Sequence, residues 1–95
     1  MNIIQSYDLN RCLQQFNIIV KDYQNHDIAL KERNEQDYIY TFANGDKWKL
    51  SVGKQIEQCN LMTDYYYLDS TLFNIQDIYE HYQIGKQDGD HMIFF

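Results

Sequence analysis

Tyr38-Ile39-Tyr40-Thr41-Phe42-Ala43-Asn44-Gly45-Asp46-Lys47-Trp48-Lys49-Leu50 decides the architecture of this chain. Two alternating runs flank Asn44-Gly45, a pair that readily adopts left-handed turn conformations, so the stretch reads as a β-hairpin over about 37–52. Its register follows from sidedness. A two-residue Asn44-Gly45 loop would pair Phe42 with Lys47 and Tyr40 with Lys49, mixing rings and charge on one face. A three-residue Ala43-Asn44-Gly45 loop pairs Tyr40 with Trp48 and Tyr38 with Leu50. Tyr38, Tyr40, Phe42, Trp48 and Leu50 then share an apolar face, while Ile39, Thr41, Lys47 and Lys49 share the other. A one-residue slip would move every side chain to the opposite face, so the second register is predicted.

Upstream, Ile28 and Leu30 alternate with Ala29 and Lys31, which reads as a short strand over 27–33. Before it, Leu9, Cys12, Leu13, Phe16, Val20 and Tyr23 recur at helical spacing, giving a helix over about 8–23 with Ser6 or Asp8 as its N-cap. The β-branched Ile18-Ile19-Val20 leaves open a shorter helix followed by a strand. Downstream, 63–68 reads as a strand. Asp69-Ser70 can cap a second helix over about 71–84, whose stripe is Leu72, Ile75, Ile78, Tyr79 and Tyr82. His91-Met92-Ile93-Phe94-Phe95 reads as a closing strand that docks into the sheet. The expected fold is α+β, one compact domain over 1–95 with a small antiparallel sheet packed against two helices.

With 44% hydrophobic and 16% aromatic residues, 95 residues suffice for one core. Proline is absent and alanine scarce, while Asn, Gln, Ile, Tyr and Asp abound, a usage that fits an A/T-rich coding sequence. No apolar run approaches the roughly 20 residues of a membrane helix, and the first residues lack the pattern of a secretory signal, so a cytoplasmic protein is expected. Cys12 and Cys59 match no zinc or redox spacing and read as free thiols.

The net charge of -6 is uneven. Residues 1–53 carry seven acids against six bases, whereas residues 54–95 carry seven acids against Lys54 and Lys86 alone, a net of -5. Direct binding to nucleic acid or to an anionic membrane needs a basic footprint and is disfavoured. An acidic half suits a basic partner.

Chemistry-bearing motifs are missing. The chain has no phosphate-binding glycine loop, nucleophile elbow, His-Glu-x-x-His or Cys-x-x-Cys, so no catalytic residue, metal site or cofactor is predicted. Asp77 and His81, and Asp22 and His26, stand four apart, but a solvated helix face accounts for such pairs. Asp88-Gly89-Asp90-His91 lacks the calcium-loop pattern and reads as a turn.

The candidate binding residues lie around Asp64-Tyr65-Tyr66-Tyr67-Leu68-Asp69. In a strand, Tyr65 and Tyr67 face one way and Tyr66 the other, so at least one reaches the surface among carboxylates. Tyrosine brings contact area and a hydroxyl at low entropic cost. The tyrosines and aspartates of this stretch, joined by two acids of the second helix, make an expected partner surface of Asp64, Tyr65, Tyr66, Tyr67, Asp69, Asp77 and Glu80. Reversing Asp64, Asp69, Asp77 and Glu80 to Lys is expected to abolish binding while sparing the fold. The expected function is a non-catalytic acidic inhibitor of a basic nucleic-acid-handling protein or nucleoprotein complex. In size, acidity and usage it is similar in type to phage anti-CRISPR and anti-restriction proteins and to immunity proteins against nuclease toxins. The alternative is a regulatory or adaptor domain acting through homodimerisation or another protein contact.

Overall fold

The computed structural model describes residues 1–53, 65–71, 74, 76 and 91–95. Its elements in chain order are β1 (Asn2–Ser6), α1 (Leu9–Asn25), β2 (Leu30–Asn34), β3 (Ile39–Phe42), β4 (Lys47–Val52), β5 (Tyr65–Leu68) and β6 (His91–Phe94). The strands form one sheet in the order β2-β3-β4-β1-β5-β6. Of the second helix predicted over 71–84 only residues 71, 74 and 76 are described, Thr71 in a turn, Asn74 outside any helix and Gln76 in a helical conformation; the rest of it lies outside the described residues.

The hairpin takes the predicted register. Tyr40 pairs with Trp48, the Leu50 N–H donates to the Tyr38 carbonyl, and Gly45 closes a three-residue loop at φ +94°. Tyr40, Phe42, Trp48 and Leu50 are buried under α1 together with Ile4, Cys12, Phe16 and Ile19. Ile39, Thr41, Lys47 and Lys49 turn to the opposite face, none of them fully buried.

Helix α1 runs through Ile18-Ile19-Val20 without breaking into a strand. Ile19 is buried while Ile18 is 61% exposed, which is what a 100° helical step, not a two-residue alternation, produces. Asp8 caps it, accepting from the Asn10 N–H at 2.9 Å, and Ser6 Oγ accepts from the Asp8 N–H. The other end closes as a Schellman turn: the Ile28 N–H reaches the Tyr23 carbonyl, and the Asp27 N–H reaches that of Gln24. Asp27 takes the left-handed position at φ +59°. This turn consumes residues 26–28, so β2 starts at Leu30 and not at 27 as expected.

The sheet is mixed, which corrects the antiparallel expectation. Only β2-β3-β4 is antiparallel; β1 runs parallel to both β4 and β5, and β5 runs parallel to β6. The reason is β1, a strand that the residue pattern does not announce because Asn2, Gln5 and Ser6 interrupt its apolar run. It is buried along its whole length, as a central strand in parallel pairing is. Its polar side chains are buried but bonded. Asn2 donates to the Lys47 carbonyl and accepts from the Tyr65 N–H, and Gln5 donates to the Gly53 carbonyl and accepts from the Tyr66 hydroxyl. Of the expected strand at 63–68, Tyr65–Leu68 form β5, residues 63 and 64 lying outside the described residues, and the closing strand is β6, with the Phe95 N–H bonded to the Leu68 carbonyl.

Candidate functional site

Where α1 ends, it overhangs the sheet and leaves an open cleft of about 380 Å³. Asp22, Tyr23 and His26 at the end of the helix form one wall, Asn44 and Asp46 of the hairpin loop a second, and Tyr65 and Tyr67 of β5 the third, with Trp48 beneath. The register makes this room. Asn2 pairs with Trp48 on one side and accepts from the Tyr65 N–H on the other, so a small side chain separates the two rings' strands. Trp48 meets Tyr67 edge-on at 5.6 Å between centroids, and Tyr67 meets Tyr65 at 6.5 Å, inclined by 52°.

Hydrogen bonds fix the polar wall. The Tyr23 hydroxyl donates to Asp46 Oδ2 at 2.7 Å and accepts from Trp48 Nε1–H at 3.1 Å, while its ring stacks on Phe42 at 3.8 Å. Asn44 Nδ2 donates to the same Asp46 oxygen. Burial, followed by the bond to Asp46, pushes the Tyr23 phenol up to about 12, with the Trp48 N–H pulling the other way. Burial, then the neighbouring Tyr65 and Asp22, raises the Tyr67 phenol as well. Tyr23 and Tyr67 are therefore neutral donors at physiological pH. The last turn of α1 holds no basic residue, so the negative end of the helix dipole and Asp22 stand together there, Lys21 one position earlier being the nearest basic residue along the helix.

The seven predicted partner residues separate. Tyr65 is 42% exposed and Tyr67 half-buried, both lining the cleft. Tyr66 is buried on the opposite face of the sheet, bonded to Gln5. Asp69 has 0% exposure: it accepts from Ser6 Oγ at 3.0 Å, from Arg11 Nε at 3.1 Å, and from the Thr71 hydroxyl and N–H at 2.7 and 3.0 Å. Its carboxylate is held inside the protein, so its reversal to Lys would attack the fold, contrary to the expected sparing. Burial would raise its carboxyl, but Arg11, Thr71 and Ser6 outweigh that and hold it below the usual value. Asp64, Asp77 and Glu80 lie outside the described residues.

Asp22, Tyr23, His26, Asp46 and Trp48 were not among the predicted partner residues. Asp22 and His26 are visible in the sequence as an i, i+4 pair, and the hairpin register already places Trp48 on the apolar face. What joins them to Tyr65 and Tyr67 is the hidden strand β1. Among the described residues no group of three or more His, Cys, Asp or Glu side chains is placed to hold a metal ion. Cys12 is buried, with burial raising its thiol to about 11, so it packs as a neutral side chain. No described helix is long and apolar enough to cross a membrane. No family model, curated protein or solved structure matches this chain.

Proposed function

We propose that this protein is a non-catalytic acidic inhibitor that seats its cleft on the basic surface of a nucleic-acid-handling protein or nucleoprotein complex. The observation that carries the reading is the lining of the cleft, where Asp22 and Asp46 stand among Tyr65, Tyr67 and Trp48. Tyrosine and tryptophan supply contact area at low entropic cost, and carboxylates steer a basic surface toward them. The acid-rich residues 54–95 add a field of the same sign. A surface evolved to hold phosphates is basic, so an acidic protein of this size occludes it by occupying the same charges. Self-association through the outer edge of β2 is disfavoured by Lys31, Glu32 and Arg33, exposed charges that guard an edge against strand pairing, so the alternative regulatory or adaptor reading would run through the Met92–Phe95 strand at the sheet's other edge or another protein contact.

Affinity capture from host lysate at low and at high salt, with mass spectrometry of the eluate, tests the reading. Recovery of a nucleic-acid-binding protein at low salt, its loss at high salt, and displacement of nucleic acid from it by this protein are the expected results. Recovery of the protein itself alone, insensitive to salt, would replace inhibition with a self-associating regulatory role.

A further inference from the structure

The cleft brings together walls of distinct chemistry, with acids, tyrosine rings and the end of α1 around one opening. Its volume of about 380 Å³ lies in the range of pockets that enclose a ligand group instead of touching it, roughly 300–1,000 Å³. Its charge disfavours anions: Asp22 and Asp46 are the acids of a lining whose one basic side chain among the described residues is His26, and α1 points its negative end at it. Asp46 uses Oδ2 for both Tyr23 and Asn44, and its Oδ1 accepts no hydrogen bond among the described residues. Tyr65 and Tyr67 meet at 52°, so the third wall is a corner of two ring planes. A planar cation stacks on one ring while donating sideways to carboxylates, whereas a spherical, strongly hydrated ammonium uses neither plane well.

We infer that the cleft takes an arginine side chain of the partner, its guanidinium stacked on a β5 tyrosine and donating to Asp46 and Asp22. This rests on the reading of the cleft as the partner's seat. It makes the cleft an arginine socket within a larger acidic contact.

Trp48 is the only tryptophan of the chain and is 3% exposed beneath the cleft, so its fluorescence reports occupancy there. The protein is titrated with an arginine-glycine octapeptide, with the lysine-glycine counterpart, and with free arginine and spermidine. The arginine peptide is expected to shift Trp48 emission at about tenfold lower concentration than the lysine peptide or spermidine, and free arginine to shift it in the same direction. Asp22 and Glu32 are both exposed, and Glu32 pairs with Thr41 on the sheet face away from α1. Asp22→Lys and Glu32→Lys therefore change the net charge equally at different places. Asp22→Lys is expected to weaken the arginine peptide about tenfold and Glu32→Lys less than about twofold. Equal response to arginine and lysine peptides, equal loss in the two variants, or saturation by spermidine at the peptide's concentration overturns the inference. If Trp48 does not respond while the lysate capture still recovers a salt-sensitive nucleic-acid-binding protein, the socket falls and the inhibitor reading stands. If capture fails too, both fall.

Discussion

Protonating Asp69 would disarm Ser6, Arg11 and Thr71 at once, since all three donate to its carboxylate. An unfolded aspartate titrates near 3.8 and the folded one below it. As pH falls past that value the unfolded chain takes up the proton first, so the stability contributed at neutral pH is lost below about pH 4–5 and is gone beneath the folded value. Asp69→Asn is expected to cost about 2 kcal/mol at pH 7, because donors are left facing an amide, and to narrow the gap between urea midpoints at pH 7 and pH 3. Tyr23 works in the opposite direction. Unfolded it ionises near 10 and folded near 12, so the native state keeps a proton that the unfolded chain has lost, and stability falls as pH rises through that interval. Tyr23→Phe should flatten the decline in urea midpoint between pH 9 and 11 without abolishing it, since the phenols of Tyr40 and Tyr67 are raised as well.

The hairpin is the element on which both core and cleft depend, because its register aims Trp48 inward and leaves Asn44 and Asp46 at the rim. Gly45 sits at φ +94°, and a Cβ added there would meet nothing within 4 Å, so backbone strain and not crowding sets the cost of replacing it. Gly45→Val is expected to lose about 1–2 kcal/mol in thermal or urea unfolding, and Gly45→Asn clearly less. Trp48→Ala, which empties a site 3% exposed, should cost roughly 3–5 kcal/mol and unfold a small domain at 37 °C by circular dichroism. The hairpin and α1 are legible in the residues because each buries one face only, so their apolar periods of 2 and 3.6 show. Strand β1 is not, because a strand buried on both faces has no sidedness to read, and its Asn2, Gln5 and Ser6 are tolerated only through partners far along the chain. With β1 unread, the parallel pairing of β5 and hence the meeting of Tyr65 and Tyr67 with Trp48 cannot be derived. Tyrosine alternation correctly exposes Tyr65, but only the three-dimensional clasp around Asp69 shows which carboxylate is internal.

Across the whole molecule, under the proposed inhibitor function, the charge divides into two roles that act at different distances. Asp22 and Asp46 line the cleft and act at contact, while the net of -5 over residues 54–95 acts as a field. At physiological ionic strength such a field reaches about 8 Å, enough to orient an approaching basic partner but not to hold it. The two roles therefore show up in different rate constants. Reversing Asp64, Asp77 and Glu80 to Lys, with Asp69 left in place for the fold, takes the net charge from -6 to zero. That variant is expected to bind the captured partner with a slower association rate, by about tenfold or more at low salt, and with a much shallower dependence on ionic strength. Asp22→Lys should chiefly speed dissociation and keep most of the salt dependence of association. Surface-plasmon kinetics at two salt concentrations separate the cases. If the triple reversal left association unchanged while Asp22→Lys abolished it, the acid-rich half would have no part in steering, and recognition would reside in the cleft alone.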